Sequence, residues 1–137
     1  MKYALWVAQV LLGLAFIALG SMKLTQPYEV QMAMMVWVAA VPEVLIRFIG
    51  AAEVLGGLGV LLPSVTRIMP RLTPLAAIGL MVVMVLALGF HVSRGEVQSL
   101  APNVVLGLLA AFVAYGRTKL APISPRRPVS VGRPVTA

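Results

Sequence analysis

Glu53 stands inside RFIGAAEVLGGLGVLLP, residues 47–63, a run that is apolar except at Arg47 and Glu53 itself. A carboxylate at the depth such a run reaches in a bilayer is expensive unless a partner neutralises it or a reaction uses it. On a helix, Ile46, Gly50, Glu53, Gly57 and Val60 share one face, so small residues flank the acid one turn to either side and admit a neighbouring helix. The spacing predicts that Glu53 points into a helix bundle. Proton exchange is the chemistry such a group offers, and Lys23, Arg47 and His91 are its candidate partners. Packing alone is the competing explanation, with Glu53 protonated or salt-bridged. For Arg47 the competing explanation is an ion pair with Glu43, four residues before it on the same helix.

His91 is the single histidine, and it closes the third apolar run in the segment HVSRGE. With Arg94 and Glu96 beside it, the ring is either one station of a proton relay or a helix-end contact with headgroups. One histidine per chain excludes a haem held by two histidines from that chain, and the absence of cysteine excludes disulfides, dithiol chemistry and thiolate-held iron–sulfur clusters. No metal-binding spacing is present. Two further polar residues interrupt apolar runs: Gln9, on a stripe with Gly13, Phe16, Gly20 and Lys23, and Asn103, on a stripe with Gly107, Ala110 and Ala114. The residues thus sort into candidate catalytic groups, Glu53, His91 and Lys23, and candidate substrate-binding groups, Arg47, Glu96, Asn103 and Gln9.

The elements that must position them are membrane spans. Of 137 residues, 61% are hydrophobic and only 11% charged, with a mean hydropathy of +1.00, a balance that water-soluble domains do not show. The pattern predicts an all-α integral membrane four-helix bundle, one domain over residues 1–116 with spans near 4–21, 42–62, 73–90 and 102–116. Pro42 reads as the first helical position of the second span, Pro63 and Ser64 as its end, and Pro102 as the first position of the fourth. Residues 31–41, carrying Met32, Met34, Met35 and Trp37, are too short to span, and predict an interfacial or re-entrant helix that is either a lid over an apolar cavity or an amphipathic connector. Residues 117–137 are basic and proline-rich without hydrophobic period, and predict a disordered tail, resting on anionic lipid or simply solvated. The first run also has the basic start and small-residue ending of a signal peptide. Its stripe of polar and small residues favours a packed span instead.

Net charge is +7, and its placement orients the chain. With four spans, eight of the eleven basic residues fall on the side of the termini, which the positive-inside rule places in the cytoplasm. Lys23, Arg47, His91, Arg94, Asn103 and all four acids then gather toward the outer half, with Glu53 roughly 15 Å in along its helix axis. No interleaving of basic and aromatic residues suggests nucleic acid. The bilayer is the expected partner, with a second copy, a membrane protein or a lipophilic small molecule as further candidates.

Three segments, GSMKL after the first span, IGAAEVLGGLGVLLP in the second and GFHVSRGE at the end of the third, together resemble the DoxX-like family, over residues 11–115. The resemblance implies a bacterial inner-membrane four-helix protein, in which Lys23, Glu53, His91 and Glu96 occupy the positions of the family's recurrent lysine, acid, histidine and second acid. The family takes its name from membrane subunits of a thiosulfate-oxidising, quinone-reducing enzyme, which implies a redox-associated role and a non-covalently bound quinone or other lipophilic substrate; the gathering of polar residues toward the outer half makes an outward-facing pocket around Glu53 the expected place for it. Without cysteine, sulfur chemistry would fall to the substrate or a partner. Two alternatives stand beside it: a cofactor-free acid–base enzyme, isomerising or epoxide-opening, on a lipophilic substrate, and a small transporter or assembly factor in which Lys23 and Glu53 form a structural bridge.

Overall fold

The computed structural model describes residues 1–127, and among them every regular element is helical. Four helices are long and apolar enough to cross a membrane: α1 (Lys2–Thr25), α3 (Glu43–Thr66), α4 (Leu72–Ser93) and α5 (Val97–Tyr115), with a short α2 (Tyr28–Met34) and a 3-10 turn (Val36–Ala40) between the first two. α1 packs against α3 and α5, and α4 against the same two, so the chain goes round an antiparallel ring in sequence order. Leu12, Phe16, Val60, Leu80, Met84 and Val113 fill its centre. The outer faces remain apolar and exposed, as at Leu11, Leu55, Val85 and Leu108, the surface a lipid-facing bundle presents.

Glycines set the spacing of α1 and α3. A Cβ on Gly20 would stand 2.6 Å from the Gly50 carbonyl oxygen, one on Gly50 2.8 Å from that of Gly20, and one on Gly57 2.7 Å from that of Gly13. The backbones therefore touch where Glu53 and Lys23 sit, the close approach that small residues permit between membrane helices.

Several boundaries differ from those expected. α3 runs through Pro63 to Thr66 and stops at Arg67, which is left-handed with φ 57°. Pro63 forfeits one backbone bond, but the buried Ser64 hydroxyl shares a 2.7 Å hydrogen bond with Thr73 of α4 and ties down the last turn. Pro42 precedes α3 as its cap instead of opening it. α5 begins at Val97, not at Pro102, because a proline early in a helix leaves only one carbonyl unpaired, and Asn103 Nδ2 donates to the nearby Ser99 carbonyl at 2.6 Å. At its other end α5 continues into one π-helical turn, Gly116–Leu120, so the apolar helix spans 24 residues and needs no thinned bilayer. Arg117 belongs to that turn and is buried, not part of a free tail; residues 121–127 follow without helix, and the Arg126 N–H donates to the Arg67 carbonyl at 3.1 Å. The rest of the expected tail, 128–137, lies outside the described residues.

α2 and the 3-10 turn cover the end of the bundle where α1 ends and α3 begins. Val38, Val41 and Ile46 form a second buried cluster with Tyr28, Met32, Met35, Trp37 and Phe90 around it. The Tyr28 hydroxyl lies 2.7 Å from the Val41 carbonyl and 3.1 Å from that of Val38, pinning the turn back on α2.

Candidate functional site

At the centre of this covered end, Lys23 Nζ of α1 donates to Glu53 Oε2 of α3 at 2.7 Å. The two side chains are 9% and 4% exposed, so the pair is sealed from solvent. At this separation the pair makes a short, charge-assisted hydrogen bond.

Around the pair, polar groups fasten the chain that turns over it. Arg47 Nη1 donates to the carbonyls of Lys23 and Gln26, at 2.7 and 2.8 Å, while its Nη2 holds Glu43 at 2.8 Å. The ion pair with Glu43 is thus real, and Arg47 also caps the C-terminus of α1, where a cation is favoured. Arg47 does not bond to Glu53. The buried Gln31 of α2 donates to the same two carbonyls, at 3.3 Å and 2.9 Å, which fixes its amide and leaves Gln31 Oε1 buried with no partner; Gln26 Oε1 is likewise unpaired. Two orphaned acceptors at one place are rare, since buried polar atoms nearly always find a donor.

His91 is buried at the end of α4, its Nδ1 2.6 Å from Glu96 Oε2, and Glu96 Oε1 accepts from Arg94 Nε at 2.7 Å. Donation from Arg94, then from His91, holds the Glu96 carboxyl below the usual carboxylate range. Trp37 from the cover meets His91 edge-on at 5.7 Å between ring centres and Phe90 at 6.4 Å. The histidine is thereby joined to the covering segment.

Of the seven candidates, Lys23, Glu53 and Arg47 come together directly, and His91 with Glu96 forms a second group at the same end of the bundle. Asn103 is spent on the Ser99 carbonyl of its own helix. Gln9 lies 14 residues before Lys23 on α1, roughly 21 Å away. There its Nε2 donates to the Val60 carbonyl at 2.7 Å and its Oε1 accepts from Arg117 Nε at 2.7 Å. Gln31 was not among the candidates, although a lone amide in a methionine-rich apolar run was a legible sign. Arg117 gave no such sign, because its partner is 108 residues distant.

The two clearest cavities, of about 300 and 480 Å³, lie elsewhere, one as a shallow groove on the outer face of α1 at Trp6 and Val10, the other beside Arg71 and Arg117. Neither borders Glu53. Among the described residues no three His, Asp or Glu side chains cluster as metal ligands do.

Fold and site together define an integral membrane four-helix bundle organised on one buried lysine–glutamate pair under a short tryptophan- and methionine-bearing cover. The match to known families agrees: the model of the DoxX-like family covers residues 7–113, which include Lys23, Glu53, His91 and Glu96, and the chain belongs to that family. No curated protein and no solved structure matches it.

Proposed function

We propose that the chain is a redox-associated membrane component of the bacterial inner membrane, with both termini cytoplasmic, that receives a quinone or another lipophilic molecule at the covered end around Glu53. The observation that carries this reading is the sealed 2.7 Å pair of Lys23 and Glu53, a donor and an acceptor facing each other at membrane depth. The orphaned Gln31 Oε1 supports it, because a hydroxyl-bearing molecule would supply the donor that this buried acceptor lacks. The residues fit a quinone chemically: Lys23 Nζ is the donor for an oxygen that gains negative charge, Glu53 the group that gives or takes its proton, and Gln31 Oε1 an acceptor for a hydroxyl. When bound, a quinone would supply two-electron, two-proton chemistry.

The protein's own part is proton handling and exclusion of water. The pair is buried, and entry at the covered end would displace Trp37 and Met32, which pack against Val38, Val41 and Ile46. Lys23 would then exchange its carboxylate for the ligand oxygen, and Glu53, released from the ammonium, would take at Oε2 the proton that a ligand hydroxyl gives up. His91, bonded to Glu96 near the surface, is the second exchange site.

Native mass spectrometry of the purified wild type and of Glu53→Gln, with extraction of co-purifying lipids, tests the reading. A quinone or other apolar ligand retained by the wild type and lost from the variant supports it. An empty wild type opposes it. Turnover of a lipophilic substrate with no electron acceptor present would transfer the same residues to acid–base catalysis.

A second reading rests on how fully Lys23 and Glu53 satisfy each other: the pair serves only as a fastening between α1 and α3 in a transporter or assembly factor. Replacing both, Lys23→Met with Glu53→Leu, separates the two. Retained function would make the pair structural.

A further inference from the structure

At the end of the bundle opposite the covered pair, Arg117 is 5% exposed and has no acidic partner among the described residues. Its Nε donates to Gln9 Oε1 at 2.7 Å, its Nη1 reaches the Ala121 carbonyl only at 3.4 Å, and its guanidinium lies 4.7 Å over the Trp6 ring. Nη2 is buried with no acceptor among the described residues. A guanidinium carries five N–H donors in a fixed fork, so several are unspent here. The chain's four acidic side chains, Glu29, Glu43, Glu53 and Glu96, all belong to the other end.

Arg117 lines a half-open hollow of about 480 Å³. Arg71 lines it from the start of α4, the Ser124 hydroxyl adds a donor, the Thr118 hydroxyl is spent on the Ala114 carbonyl at 2.7 Å, and Pro70 and Pro74 give it rigid walls. A buried cation with unspent donors, a second cation and the Ser124 hydroxyl around one space form a donor set that suits a tetrahedral oxyanion.

We propose that this cavity is an anion site that takes a phosphate group, with Arg117 as its buried ligand and Arg71 as its exposed one. It is independent of the Lys23–Glu53 site. The phosphate can belong to a net-anionic lipid headgroup or be free in solution, and the chemistry of recognition is the same.

The test uses the full chain in a neutral detergent, with phosphatidylglycerol, phosphatidylcholine and inorganic phosphate as probes. Phosphatidylglycerol is expected to bind at least about tenfold more tightly than phosphatidylcholine, and Arg71→Gln to lose roughly tenfold of that, the worth of one charge-assisted hydrogen bond. Arg71 is exposed, so this variant leaves the fold intact. Arg117→Lys keeps the charge, removes the fork and should weaken phosphatidylglycerol binding similarly, whereas the exposed Arg126→Gln should leave it unchanged. If the lipid is the source, millimolar inorganic phosphate fails to displace it; if free phosphate is the source, phosphate raises the melting temperature of the wild type and not of Arg71→Gln. Equal binding of the two lipids together with no phosphate stabilisation would overturn the proposal, and so would phosphatidylglycerol binding that Arg71→Gln and Arg117→Lys leave at the wild-type level.

Discussion

Lys23 and Glu53 meet at 2.7 Å at the place where the backbones of α1 and α3 come closest, Gly20 against Gly50. Ion pair and glycine contact depend on each other. Without the glycines the helices would stand too far apart for the lysine to reach, and without the pair two polar side chains would be stranded inside an apolar bundle.

Removing one partner should therefore be costly. Glu53→Gln leaves the Lys23 ammonium buried without its counter-charge, and is expected to destabilise by about 3–5 kcal/mol. Lys23→Met with Glu53→Leu in one chain is expected to recover most of that loss. Thermal unfolding in detergent, followed by circular dichroism, measures both. Equal damage in the single and double variants would show that the pair is not the source of the effect.

Glycine substitutions should separate by position. Gly20→Ala and Gly50→Ala push a methyl into backbone and are expected to cost about 1–3 kcal/mol, loosening the lysine–glutamate contact as they do so. Gly79, within α4, has nothing within 4 Å of a Cβ placed on it, so Gly79→Ala should stabilise by up to about 1 kcal/mol through helix propensity. The same melting series reads out all three, and loss of stability in Gly79→Ala would contradict the packing described.

Arg47 holds down the turn between α1 and α2. Arg47→Gln removes bonds to the Lys23 and Gln26 carbonyls, and is expected to cost roughly 1.5–3 kcal/mol locally. Hydrogen exchange should accelerate over residues 24–35 while the middle of α4 stays protected. Uniform acceleration across all helices would instead mean that Arg47 supports the whole bundle.

Acid should release the end of α4. The Glu96 carboxyl is held below its unperturbed value by Arg94 and His91, so its contribution to stability is complete above about pH 4.3 and is lost as pH falls through the lower, folded value. Trp37, in contact with His91, reports the change. In a Trp6→Phe background its fluorescence should shift on acidification below about pH 4.3, and Glu96→Gln should abolish that shift. A shift that persists in Glu96→Gln would assign the transition to another group.

Hydropathy made the four spans legible because each is a long run with very few polar residues, and the face shared by Gly50, Glu53 and Gly57 pointed to the buried acid. Lys23 was legible as a partner from its stripe on α1. The roles of Arg47 and Gln31 as fasteners were not, since the Lys23 and Gln26 carbonyls they hold are backbone groups without a signature in the sequence. Arg117 read as tail because its neighbours are basic and proline follows. Only the approach of α5 to Gln9 and Trp6 draws it inside. Boundaries at Pro63 and Pro102 were misread for one reason: proline removes a single backbone bond, and tertiary contacts such as Ser64 with Thr73 decide whether a helix survives it.

The pairing of charges at the covered end bears on how the chain enters a membrane at all. Lys23 is matched by Glu53, Arg47 by Glu43 and Arg94 by Glu96, leaving Glu29 as the odd charge. In the orientation proposed, the two connections on that side are the segments that must be carried across the bilayer during biosynthesis. Each of their three basic side chains is bound to a carboxylate, whereas Arg67 and Arg71, on the opposite connection, have no carboxylate beside them among the described residues.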